Sequence, residues 1–70
     1  MNRYWVRMVG QGEGGNWDIV ELDFNSIVQI RDWLIKHSCR TGTGFLYEVV
    51  SIYDNDEGQF IDIPQELKVR

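Results

Sequence analysis

The sequence predicts an α+β fold, a two-layer β-β-α-β-β arrangement with a four-stranded antiparallel sheet and one helix packed on one face. Three observations predict it. Apolar and polar residues alternate from Arg3 to Val9 and again from Trp17 to Phe24, the two-residue period of a half-buried strand. Between Ile27 and His37 the apolar residues instead recur at helical spacing. Phe45 to Tyr53 is rich in β-branched and aromatic residues, which suit a pleated surface. Strands segregated around one helix pack as a sheet with that helix on one face.

In the first strand Tyr4, Val6 and Met8 share one face, with Arg3, Trp5, Arg7 and Val9 on the other. The connector from Gly10 to Asn16 is glycine-rich and flexible. It leads into a second strand whose Val20, Leu22 and Phe24 oppose Glu21 and Asp23, so the pair reads as an antiparallel hairpin. Asn25 or Ser26 can cap the helix, because a short side-chain oxygen accepts hydrogen bonds from the unpaired amides of the first turn. Ile27, Ile30, Trp33 and Leu34 form its continuous apolar face. Val28 and Ile35 extend that face sideways and leave Gln29, Asp32 and Lys36 wet, more apolar surface than one small sheet covers. The run from Cys39 to Gly44 reads as the loop back to the sheet. Asp54 to Gly58 is an acidic turn, Gln59 to Ile63 a shorter strand ended by Pro64, and Leu67 and Val69 remain to pack. Strand order stays open.

Seventy residues make a single domain, 1–70, and a chain this short buries only about 60% of the surface it exposes when unfolded. No apolar run approaches the ~20 residues that span a bilayer. The start, Met1 to Arg7, lacks the apolar core of a secretory signal, so a cytoplasmic location is expected. The one cysteine, Cys39, rules out an internal disulfide framework. With 11 acidic against 7 basic residues, the net charge of −4 works against phosphate-backbone binding.

Gly10, Gly12 and Gly15 match the spacing of a dinucleotide loop, but an alternating strand follows where a helix is needed, and Glu13 sits where phosphate would lie. The turn Asp54 to Gly58 resembles a calcium loop until Gly58 falls on a ligand position and Gln65 on that of the closing glutamate. His37 and Cys39, two apart at a helix end, have no third group to orient them, and the pair reads as structural. No cofactor, metal or catalytic constellation is expected, and the chain reads as a non-enzyme.

Trp5, Trp17, Tyr47, Tyr53 and Phe60 with Arg3 and Arg7 suggest a stacking platform for single-stranded nucleic acid. Parity instead sets the two arginines against Glu21 and Asp23 as a solvated ladder worth under about 1 kcal/mol per pair. In the second half, parity places Leu46, Val50 and Ile52 outward with Glu48, and adds Phe60 and Asp62. Apolar surface rimmed by charge marks contact sites.

The stretch Asp23-Phe-Asn-Ser26 leading into Gln29-Ile-Arg-Asp-Trp-Leu34, then the glycine-rich return Thr41-Gly-Thr-Gly44, resembles small phage-encoded anti-CRISPR proteins. That family carries a short antiparallel sheet with helices on one face; here a single helix is expected. The resemblance implies a stoichiometric inhibitor that occupies the surface of a host defence complex, in the host cytoplasm. The expected function is accordingly a small acidic protein-binding module. Trp5, Trp17 and Phe60 supply anchoring area, and Glu13, Glu21, Asp23, Asp54, Asp56 and Glu57 steer it to a basic protein surface. The alternatives are a homodimer or larger self-assembly through Val28 and Ile35, and single-stranded nucleic-acid binding through the sheet.

Overall fold

The computed structural model describes residues 2–38 and 44–68. The expected return loop, except Gly44, lies outside them, as do Cys39 and Val69. Strand β1 spans Tyr4–Gln11, β2 Trp17–Phe24, β3 Leu46–Asp54 and β4 Gln59–Ile61, and helix α1 spans Ile27–His37. Single 3-10 turns occupy Glu13–Gly15 and Gln65–Leu67. The four strands form one antiparallel sheet in the order β2-β1-β3-β4, with α1 on one face, the α+β class expected. β1 is therefore central: the hairpin places β2 on one side of it, and the chain returning through α1 places β3 on the other.

Ser26 is the helix cap. Its Oγ accepts the Gln29 N–H at 3.3 Å, and Gln29 Oε1 accepts the Asn25 N–H at 2.8 Å, a reciprocal box that satisfies two amides. At the other end the Ser38 N–H donates to the Leu34 carbonyl at 2.8 Å, and Lys36 and His37 lie in the last turn, where a positive charge favours the dipole. The apolar stripe meets the sheet as its spacing requires. Ile30 and Leu34 are buried against Tyr4, Val6, Met8, Phe24, Tyr47, Val49 and Ile52, and Ile27 and Trp33 pack at the margin. Leu67 closes the cluster from the tail. Val28 and Ile35 stay 62% and 69% exposed.

One register shift overturns the parity expected for the third strand. Met8 pairs with Val49 but Arg7 with Ser51, so Val50 is an extra residue, a β-bulge. Beyond it every side chain changes face. Ile52, expected outward with Leu46 and Val50, is fully buried, and Tyr53 turns outward beside Trp5. The bulge lets β3 bury Val49 and Ile52, three positions apart, on one core face. β4 is also shorter than expected: residues 62–64 leave the sheet, Pro64 has no amide to pair, and Ile63 packs against the core.

Gly10 lies inside β1 and not in a flexible connector. A Cβ there would stand 2.7 Å from Tyr47 Cε1 and 2.9 Å from Phe45 Cβ, because the Tyr47 ring crosses the strand at this point. Gly10→Ala is expected to lower stability by about 1–2 kcal/mol in urea unfolding, through displacement of that ring. Wild-type stability in this variant would mean the ring has room to move.

Candidate protein-contact surface

Because α1 covers only the inner face, the outer face of the sheet has no second layer among the described residues. The register sorts its side chains into rows. Asp23, Trp5, Tyr53 and Phe60 lie side by side across all four strands. Tyr53 meets Phe60 edge-on with ring centroids 5.0 Å apart. In the next row the Arg7 guanidinium donates to Glu21 Oε2 at 2.6 and 2.9 Å and stands 5.5 Å from the centre of the Trp5 ring. Below it Ile19, Val9 and Glu48 align, then Trp17, Gln11 and Leu46. A groove of about 600 Å³ opens beside this last row, bounded by Val9, Trp17, Leu46, Ile63 and Leu67.

The face is thus aromatic at one end and aliphatic with one tryptophan at the other, joined by an ion pair. Trp17, Ile19 and Phe60 are 62%, 65% and 63% exposed. An exposed pair such as Arg7–Glu21 adds under about 1 kcal/mol to the fold. Its effect is to hold Arg7 over the Trp5 ring. With Arg7 so engaged, Asp23 and Glu48 are the acidic groups of this face, and Lys68 lines the groove beside Glu48.

The residues singled out from the sequence do not form one cluster. Trp5, Glu21, Asp23 and Phe60 come together, and Trp17 shares their face at the far end of the strands. Glu13 lies beyond Trp17 in the connecting turn, while Asp56 and Glu57 sit at the opposite end in the β3–β4 turn. Tyr53, the centre of the aromatic row, is expected from sequence only as part of a nucleic-acid stacking platform and not as a protein contact, because the bulge reverses its parity. Its signal was chemical only: an aromatic residue in a strand whose neighbours are Trp5 and Phe60.

Asp54 is a correction. It is only 3% exposed and acts as the staple of its turn, not as a steering charge. Its Oδ1 accepts the Asp56 and Glu57 amides at 2.9 and 3.3 Å, and Arg3 reaches the carboxylate at 3.4 and 3.3 Å. Arg3 also pairs with Asp56 at 3.6 Å, so only the Arg7–Glu21 rung of the expected ladder forms. Burial opposes ionisation of Asp54. The Arg3 hydrogen bond, the two turn amides and the Arg3 charge together outweigh it and hold the carboxyl below its ordinary value. A carboxyl whose pKa is lower folded than unfolded stabilises the fold above its unfolded value, and that stability is lost as pH falls through the folded one. Asp54→Asn should therefore flatten the fall in melting temperature below pH 4 and cost about 5 °C at pH 7. Parallel acid profiles for variant and wild type would assign the acid sensitivity to other carboxylates.

On the inner face, at the end nearest the helix C-terminus, the Tyr47 hydroxyl donates to Asp18 Oδ2 at 2.7 Å. That hydrogen bond, then burial and the Asp18 charge, push the Tyr47 hydroxyl up to about 12. Trp33 meets Tyr47 edge-on at 5.0 Å, and His37 lies on Trp33 at 4.6 Å. His37 is thus part of an aromatic stack that closes the layer. Among the described residues no group of three or more His, Cys, Asp or Glu side chains is placed to hold a metal ion. No helix among them is long and apolar enough to cross a membrane. No family model matches the chain, and no match to it was found among curated proteins or solved structures.

Proposed function

We propose that this protein is a non-enzymatic binding module that acts by occlusion, covering part of a larger protein complex with the outer face of its sheet. The observation that carries this reading is the uncovered row Trp5–Tyr53–Phe60 with exposed Trp17 and Ile19 beyond it, rimmed by Asp23 and Glu48. Aromatic anchors supply most of the energy of such contacts, and the charged rim supplies steering and choice of partner. Two copies meeting face to face would oppose acidic rim to acidic rim. A foreign partner with basic surface is favoured instead. The resemblance to phage-encoded anti-CRISPR proteins adds the class of target, a host defence complex whose nucleic-acid-binding surfaces are basic, met in the host cytoplasm.

The test is affinity capture with the whole chain and with Phe60→Glu from lysate of the cells in which the gene acts. The expected partner is retained by the wild type, lost by Phe60→Glu, and associates more slowly as salt rises. Equal capture by both proteins, or an association rate indifferent to ionic strength, would overturn the reading.

A second reading has its own observation, the exposed Val28 and Ile35 on α1. It makes the protein a homo-oligomer packed through the helix flank. Light scattering that gives a monomer at high micromolar concentration would remove it.

A further inference from the structure

We infer that the open edge of β2 accepts an extended, basic segment of a partner protein as a fifth, antiparallel strand. This rests on the protein-binding role proposed above and names the form the partner takes. The backbone directions follow from the turn. The Gly12 N–H donates to the Asn16 carbonyl at 2.8 Å, so bonded pairs alternate from there through Gly10–Asp18, Met8–Val20, Val6–Leu22 and Tyr4–Phe24. The amides and carbonyls of Trp17, Ile19, Glu21 and Asp23 consequently point away from β1. At the far end of β1 the Arg3 carbonyl accepts the Asn55 amide at 2.7 Å, the same parity seen from the other side.

The two edges of the sheet are built differently. On the far side β4 is three residues long, pairs with β3 only at Ile52–Asp54 and is followed by Pro64, and the groove beside Leu46–Val49 of β3 is lined by Ile63, Leu67 and Lys68 of the returning chain. β2 is eight residues long, pairs with β1 without a bulge, and contains neither proline nor lysine. Its inward carboxylate, Asp18, which could repel an incoming strand, is instead engaged by the Tyr47 hydroxyl at 2.7 Å. Among the described residues nothing pairs with this edge, which is eight residues long and free of bulges, and charge is the device that guards it.

Charge selects the occupant. β2 carries Asp18, Glu21 and Asp23 and no cation; Tyr47 engages Asp18 and Arg7 engages Glu21, so the remaining charge of the edge centres on Asp23, and pairing two copies through it still joins two carboxylate-bearing edges. An incoming strand with Lys or Arg opposite Asp23 and Glu21, and apolar residues opposite Trp17 and Ile19, meets the Asp23 carboxylate, a Glu21 carboxylate it shares with Arg7, and exposed apolar area together. Main-chain hydrogen bonds supply the affinity in such strand addition, and alternate side chains the specificity.

The experiment titrates the isotope-labelled whole chain at low salt with the acetylated, amidated peptide Thr-Lys-Val-Arg-Val-Val-Lys-Val and follows backbone amides by NMR. Expected are shifts largest at Trp17, Ile19, Glu21 and Asp23, with about tenfold slower hydrogen exchange at those amides. Neither effect should occur with the peptide N-methylated at the residues facing β2, nor with glutamate in place of its Lys and Arg. No shift at millimolar peptide overturns the inference. Shifts confined to Trp5, Tyr53 and Phe60 also overturn it while leaving the binding face intact. If the β2 amides shift with protein concentration alone, the occupant is a second copy and the inference fails. The proposed binding role fails separately, through undiminished capture by Phe60→Glu.

Discussion

Ile30→Ala is expected to cost about 3–4 kcal/mol, the largest stability loss from any single truncation in this fold. Ile30 is fully buried at the centre of the cluster formed by β1, β3 and α1. Removing its outer carbons opens a cavity that the surrounding strands, held in register by their ladders, cannot close. A domain of this size has roughly 3.5–10 kcal/mol of stability, so the loss takes between about a third and all of it. Nor can the helix survive alone, since α1 has 11 residues and isolated helices of that length are marginal in water. Far-UV circular dichroism and urea unfolding read the outcome. Ile35→Ala on the same helix is the comparator: at 69% exposure it should change stability by less than about 0.5 kcal/mol. Equal losses from the two substitutions would mean that the flank is covered in solution, as the self-association reading requires.

Trp5→Ala is expected to weaken binding of the captured partner by about 2 kcal/mol, close to 30-fold. Trp5 stands on a central strand with Tyr53 on one side and Asp23 on the other, and Arg7 is held beside its ring by Glu21. That position, in the middle of an aromatic row and beside a fixed cation, suits an anchor that water leaves on docking. Trp17 lies at the far end of β2 on the open edge, where Trp17→Ala should cost less. Titration calorimetry with the purified partner measures both, with circular dichroism to show that each variant keeps its fold. Undiminished affinity in Trp5→Ala would remove the outer face from the interface.

The first half of the fold is legible because the period never breaks within either strand. Within Tyr4–Gln11 and within Trp17–Phe24 each residue alternates, so the buried Tyr4, Val6, Met8 and Phe24 and the outward Trp5, Arg7, Trp17 and Glu21 follow from parity. The helix was legible for the same reason, its Ile30 and Leu34 falling at the spacing that one apolar face demands. The second half was not. Val50 inserts a residue without changing the β-branched character of the strand, so nothing in its hydropathy marks the place where Ile52 and Tyr53 exchange faces. The fate of Asp54 was hidden similarly: three acidic residues in one turn look alike until the bulge points one of them inward toward Arg3.

Local periodicity and turn chemistry, which act between residues a few positions apart, are enough for the sequence alone to determine the four strands and the helix, the helix cap region and the core stripe, though not the 3-10 turns at Glu13–Gly15 and Gln65–Leu67. Only the tertiary structure decided the strand order β2-β1-β3-β4, the bulge at Val50 and the assembly of Trp5, Tyr53 and Phe60 into one row. Those depend on pairings between residues some fifty positions apart, such as Arg3 with Asp54 and Trp5 with Tyr53. Pairings of that kind are chosen by which whole arrangement buries the most apolar surface with its backbone satisfied, and no local pattern encodes that comparison.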